Sequence, residues 1–117
     1  TRILAICRDL NLDAVGISGV DAGLIRAHKR APVKLTSNGE TIDYGYVGDV
    51  DRVDPSVIRK LLDNGLMPVI SPLSCDDQGT LLNINADTIA SAIGAALDAE
   101  KLVRCTGAPA ILERVED

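Results

Sequence analysis

The sequence predicts an α/β fold in which a mainly parallel sheet is flanked by helices and carries an inserted β-hairpin. Three observations support this. First, helical and extended periods alternate in the order α-β-hairpin-α-β-α-β, and strands separated by helices imply right-handed crossovers between parallel neighbours. Second, apolar residues make up 46% of the chain, yet Phe and Trp are absent and only Tyr44 and Tyr46 are aromatic. The core must therefore be built from Leu, Ile, Val and Ala, a composition suited to helices packed on a buried sheet. Third, 117 residues suffice for one small domain and not for two.

The elements follow in order. Ile3, Ile6, Cys7 and Leu10 recur at helical spacing, so Thr1–Leu10 reads as the end of an amphipathic helix. Ala14–Ile17 is a short apolar run and reads as a buried strand. Gly16, Gly19 and Gly23 hint at a phosphate-cradling turn, but that motif needs a helix next and Leu24–Lys29 reads as a strand. A plain turn over Ser18–Gly23 is the expectation. Val33–Leu35 and Thr41–Val47 flank Asn38-Gly39, a dipeptide that tolerates positive φ and marks a hairpin. His28 falls on this ribbon and reads as a surface residue.

Asp49, Asp51 and Asp54 form an acidic patch without the glycine-bearing loop of a calcium site. Asp54 before Pro55 is instead a helix start. Val57, Ile58, Leu61 and Leu62 give that helix its buried face, and Gly65 stops it. Leu66–Leu73 is the next strand. Ser74–Gly79 is a polar turn, with Asp76-Asp77 solvated in it, and Thr80–Asn83 is a brief extended piece. A helix over Ala86–Ala99, a last strand over Lys101–Cys105 and a loop from Thr106 complete the chain.

Charge and cysteine usage exclude several classes. Seventeen acids against twelve bases give a net charge of −5, and His28-Lys29-Arg30 is too short a basic run to indicate nucleic acid. No apolar run approaches a membrane span, and no secretory leader pattern opens the chain. Cys7, Cys75 and Cys105 are odd in number and form no Cys-x-x-Cys pair, so reduced thiols in a cytoplasmic protein are expected. Thr1 enters a helical pattern directly and Asp117 follows an apolar segment, which suggests part of a longer protein.

The chemistry concentrates in Leu81-Leu82-Asn83-Ile84-Asn85-Ala86-Asp87-Thr88. Strand alternation would put the Asn83 and Asn85 side chains on one face, with Asp87 in the first helical turn beside free backbone N–H groups. A polar cluster at a strand-to-helix junction is a common ligand position in open α/β sheets. The alternative is that Asn85 is a helix cap and Asp87 a first-turn acid, with no further role.

These residues also carry a resemblance. Ala14–Gly23, Tyr46–Val50 and Leu61–Pro72, followed by Leu82-Asn83-Ile84-Asn85-Ala86-Asp87 and Thr106–Leu112, resemble the central part of the acetylglutamate kinases of the amino acid kinase family. The resemblance runs through nearly the whole chain in family order. It implies a three-layer αβα sandwich, of which residues 1–117 would be one partial domain. The activity implied is transfer of the γ-phosphoryl group of ATP, with Mg2+ bound mainly through the nucleotide, to the side-chain carboxylate of N-acetyl-L-glutamate. This reaction belongs to arginine biosynthesis.

By the same resemblance, Asn83 would bind the acetylglutamate and Asn85 would support it. Asp87 would be the catalytic-site residue that holds two lysines in position. Thr106, Gly107, Ala108, Ala110, Ile111 and Leu112 would run along the nucleotide. The implied partner is a small molecule, with neither nucleic acid nor membrane, and the full-length protein would be a homo-oligomer.

Two residues depart from the pattern. Ala110 stands where the family has Gly, and Arg104 where it has an aliphatic residue. The glycine-rich phosphate segments and both catalytic lysines have no counterpart here, and Lys34, Lys60 and Lys101 lie in no matching motif. The chain alone is therefore expected to be inactive. Two other functions fit the same residues: a kinase for another acylated amino acid, such as an aminoadipate derivative, or a non-catalytic ligand-binding module of this fold.

Overall fold

The structure is a computed structural model that describes residues 1–34 and 39–107. Helix α1 spans Arg2–Asp9 and lies on strand β1, Ala14–Ser18. The approach is close because position 16 is glycine: a Cβ there would meet Leu4 Cδ1 at 2.8 Å. Cys7 is the buried residue of α1. The stripe read as its core face is otherwise open, with Ile3, Ile6 and Leu10 all more than half exposed. Leu4 packs over Gly16 and Cys7 is buried, so only part of the apolar stripe finds a partner among the described residues.

Strand β1 pairs in parallel with a later strand, Met67–Ser71, in register from Ala14↔Met67 to Ser18↔Ser71. The chain between them supplies two of the four strands of a second sheet. Strands β2 (Ile25–Lys29), β3 (Val33–Lys34), β4 (Thr41–Ile42) and β5 (Gly48–Val53) come first, then helix α2 (Ser56–Asp63). Met67–Ser71 is β6, followed by β7 (Leu73–Cys75), β8 (Leu81–Asn83) and helix α3 (Ala86–Ala96). The second sheet has the order β5-β2-β7-β8, with β2 antiparallel to β5 and parallel to β7, and β7 antiparallel to β8. Strands β3 and β4 form the inserted hairpin, with Val33 opposite Ile42; its Asn38 lies outside the described residues.

The four-stranded sheet rolls until its outer strands meet. Just before β5, the Val47 carbonyl accepts from Arg30 N–H at 2.8 Å, and Val47 bridges to Asn83 of β8. Inside the roll sits the core of Leu24, Ile25, Ala27, Ile58, Leu82, Ile84 and Ile89. Leu24, Ile58 and Leu82 are at most 2% exposed, and burying each such side chain stabilises the fold by about 1.5–3 kcal/mol. The buried Ser74 hydroxyl donates to Ile25 O at 2.5 Å, so no polar group there is left unmatched.

Several boundaries differ from the sequence reading. The strand expected over Leu66–Leu73 breaks at Pro72: β6 ends at Ser71, and Leu73 opens β7 in the other sheet. The turn expected over Ser74–Gly79 is thereby shortened. Strand β5 occupies the stretch read as an acidic patch. Its outward Asp49 takes the Arg30 guanidinium at 2.7 Å, and its inward Val50 and Val53 pack on the core. Helix α3 stops at Ala96, not Ala99, because Asp98 turns left-handed at φ 52. Lys101–Cys105 is in no ladder; an extended run becomes a strand only where a neighbour exchanges hydrogen bonds with it.

The Ser18–Gly23 turn is closed by its own acid. Asp21 Oδ2 accepts from the Ser18 N–H at 2.7 Å and from the Ser18 hydroxyl at 3.1 Å. A donor that a phosphate would need is therefore already occupied.

Candidate active site

The polar residues singled out in the sequence lie along the junction of β8 with α3. Burial alternates through it: Leu82 and Ile84 are buried, and Asn83 and Asn85 are exposed between and after them. The apolar positions anchor the segment in the core, which forces the two amides to the opposite side. Asn85 caps α3. Its Oδ1 accepts from Thr88 N–H at 3.0 Å and from the Thr88 hydroxyl at 3.3 Å. Asp87 follows in the first turn, exposed, where the helix end favours a carboxylate.

Asn83 is held by its backbone on both sides. It pairs with Leu73 of β7 on one flank, and its N–H donates to Tyr46 O at 2.8 Å on the other. This second contact was not read from the sequence. The only available signal was the glycine at position 48, since a small residue within an alternating strand often marks a close approach of two backbones.

The nucleotide-side residues are described in part. Thr106 and Gly107 are exposed, and Ala108, Ala110, Ile111 and Leu112 lie outside the described residues. The segment leading to Thr106 is tied to α3 by Arg104, whose exposed guanidinium donates to the Ser91 hydroxyl. The cost of a buried, unpaired guanidinium therefore does not arise at Arg104.

Beside the junction lies a cavity of about 350 Å³ between β6 and α3. Pro68, Ile70 and Pro72 wall one side, Ala86, Ala90 and Gly94 the helix side, and Lys101 and Leu102 lie across it. Lys101 is the single charged residue in this wall. Asn83, Asn85 and Asp87 are not among the residues that line the cavity. Among the described residues no three of His, Cys, Asp and Glu are grouped to hold a metal ion.

His28, Arg30, Asp49 and Asp51 are engaged with one another. The register slips between Arg26 and Ala27, leaving Asp51 without a ladder partner. His28 thus lies between two carboxylates, at 2.6 Å from Asp51 and 3.9 Å from Asp49. It remains a surface histidine, as read from the sequence. Hydrogen bonding from Arg30 holds the Asp49 carboxyl below the usual carboxylate range, and Asp49 in turn raises the Arg30 pKa.

Known proteins resemble the chain throughout. A curated protein named acetylglutamate kinase from Methanopyrus kandleri is 46% identical over 99% of this chain and 46% of its own length. Another of that name from Myxococcus xanthus is also 46% identical, over 100% of this chain and 39% of its own length. The chain thus spans less than half the length of these relatives. Among solved structures, that of smu.665 from Streptococcus mutans UA159 superposes with a TM-score of 0.72 at 28% identity, over 90% of this chain and 39% of the other. Among the described residues no helix is long and apolar enough to cross a membrane. The profile of the amino acid kinase family matches residues 1–116, and the chain belongs to that family.

Proposed function

We propose that the chain is the central part of an ATP-dependent kinase that phosphorylates the side-chain carboxylate of N-acetyl-L-glutamate, giving an acyl phosphate and ADP. One observation carries the proposal: two relatives named acetylglutamate kinase match 99% and 100% of the chain, at 46% identity each. The β8–α3 junction supplies a matching chemistry. The attacking carboxylate is already ionised at neutral pH, so no strong base is needed. Rate must come from alignment and from neutralising charge on the transferring oxygens.

In this reading Asn83 binds the acyl amino acid, because its NH₂ can donate to a carboxylate and its oxygen can accept from an amide. Asn85 fixes the start of α3 and so the position of Asp87. Asp87 orients lysines from elsewhere in the polypeptide without touching the phosphoryl group. Thr106, Gly107, Ala108, Ala110, Ile111 and Leu112 belong to the nucleotide-binding segment. Magnesium carried by ATP supplies charge neutralisation at the phosphates. The same reading makes the whole protein a cytoplasmic homo-oligomer and the 117-residue chain inactive by itself.

The test is ATP-dependent acyl-phosphate formation, trapped with hydroxylamine. N-acetylglutamate and aminoadipate derivatives would be offered to the longest natural polypeptide containing this stretch and to the 117-residue chain alone. Turnover of N-acetylglutamate by the long form only is expected. Asp87→Asn in the long form should lower kcat by about a hundredfold with little change in KM, as expected for loss of alignment. A long form that folds but phosphorylates none of these acids would overturn the proposal. Turnover of an aminoadipate derivative alone would replace its substrate.

A further inference from the structure

We infer that Gly48 is a positioning residue for Asn83: the absence of a side chain at 48 lets the strand before it clasp β8 and so sets where the Asn83 amide points. The inference rests on the reading of Asn83 as a substrate-binding residue. The geometry that carries it is the closure of the rolled sheet. Gly48 is buried, and a Cβ on it would lie 2.9 Å from Leu82 Cβ, 3.0 Å from Leu82 Cδ1 and 3.3 Å from His28 O. Real Cβ atoms essentially never approach another heavy atom so closely, so any side chain there must displace either β8 or the end of β2.

What would be displaced matters. Leu82 is fully buried, with 0% exposure, and cannot swing away into solvent. It precedes Asn83 directly, so a shift of Leu82 is passed to Asn83 through a single peptide plane. The same shift stretches the bond from Asn83 N–H to Tyr46 O, now 2.8 Å, and the bridge between Val47 and Asn83. The Asn83 side chain is exposed and makes no hydrogen bond of its own among the described residues, so the backbone clasp alone fixes the Cα–Cβ direction from which it reaches out. Asp87 is better insulated, because α3 is started by the Asn85 cap. The expected signature is therefore selective. Binding of the acyl amino acid should weaken, while nucleotide binding and the chemical step change little.

The experiment uses the longest natural polypeptide that contains this stretch, with Gly48→Ala, Asn83→Ala, Leu82→Ala and the Gly48→Ala/Leu82→Ala pair. For Gly48→Ala, KM for N-acetylglutamate should rise about tenfold, because small misplacements of a binding group have effects of this order. KM for ATP should stay within about twofold of the unmodified protein. Leu82→Ala removes Cδ1 but keeps the Cβ that a side chain at 48 would strike, so the pair should recover only part of the loss seen with Gly48→Ala. If Gly48→Ala does not fold, Leu82→Ile carries the same test, since it moves a branch onto Cβ beside Gly48 at constant volume. A folded Gly48→Ala or Leu82→Ile protein with unchanged KM for N-acetylglutamate overturns the inference. So does a fall that affects both substrates equally. An unchanged KM in Asn83→Ala instead sinks the assignment of Asn83, and the two failures are thereby separate.

Discussion

Asp54 opens α2 with its side chain. Its Oδ1 accepts from the Ser56 hydroxyl at 2.6 Å and from the Ser56 N–H at 3.1 Å. The hydroxyl bond, then the N–H bond, hold the Asp54 carboxyl below the usual carboxylate range, with Arg52 and Lys60 adding to the effect. A carboxylate with a lowered folded-state pKa contributes stability above its unfolded value and loses it as pH falls through the folded one. Asp54→Ala should therefore lower the denaturation midpoint at neutral pH, and its difference from the unmodified protein should shrink below about pH 4. Asp54→Asn keeps an acceptor and should show less of this pH dependence. A difference that stayed constant down to about pH 2 would mean that the charge on Asp54 contributes nothing. The helix start at Asp54-Pro55 was legible because such a signal is local, although the cap position falls on Pro55, one residue later than read, and Asp54 acts from just before it through Ser56. The Arg30–Asp49 pair was not, because it depends on which residues a distant strand brings opposite one another.

At the scale of elements, the three α-helices among the described residues stop in the same way. In each, a residue with positive φ is followed by a backbone N–H that reaches back five residues. Leu12 donates to Cys7 O at 2.8 Å, Leu66 to Leu61 O at 2.9 Å and Ala99 to Gly94 O at 3.0 Å. The residues at the turn are Asn11, Gly65 and Asp98, with φ of 59°, 74° and 52°. Only the glycine suits that conformation without steric penalty. Gly65→Ala should cost about 1 kcal/mol, and Asn11→Gly should be close to neutral or slightly stabilising. Urea denaturation of the natural polypeptide that carries this stretch would read both, and an unaffected Gly65→Ala would refute the account. This explains why Gly65 was readable as a stop while the end of α3 was placed three residues late. Asp98 has no sequence signature that separates an acid in a helix from one just beyond it. Strand β5 went unread for a related reason. The bulge at Asp51 sets its inward Val50 and Val53 three residues apart, so no period-two pattern announces the strand.

At the scale of the whole molecule, alternation of helical and extended segments made the α/β class legible, and the Asn-x-Asn-Ala-Asp segment located the junction of β8 with α3. The rolling of the second sheet was not legible, since it depends on contacts between Val47 and Asn83 that no local pattern announces. The pairing of β1 with β6 has a consequence for how the chain reaches this structure. Ala14 finds its neighbour only at Met67, after the hairpin and α2 have been made, whereas Leu73 and Asn83 meet across a short turn. Ordering a long loop before any contact repays it is slow. As the polypeptide is synthesised, β1 must therefore wait, apolar and without a hydrogen-bonding neighbour, while shorter-range pairs form around it. Pulse-labelled amide exchange during refolding should show β7–β8 amides protected before those of β1 and β6, and simultaneous protection would show that the two sheets assemble as one cooperative unit.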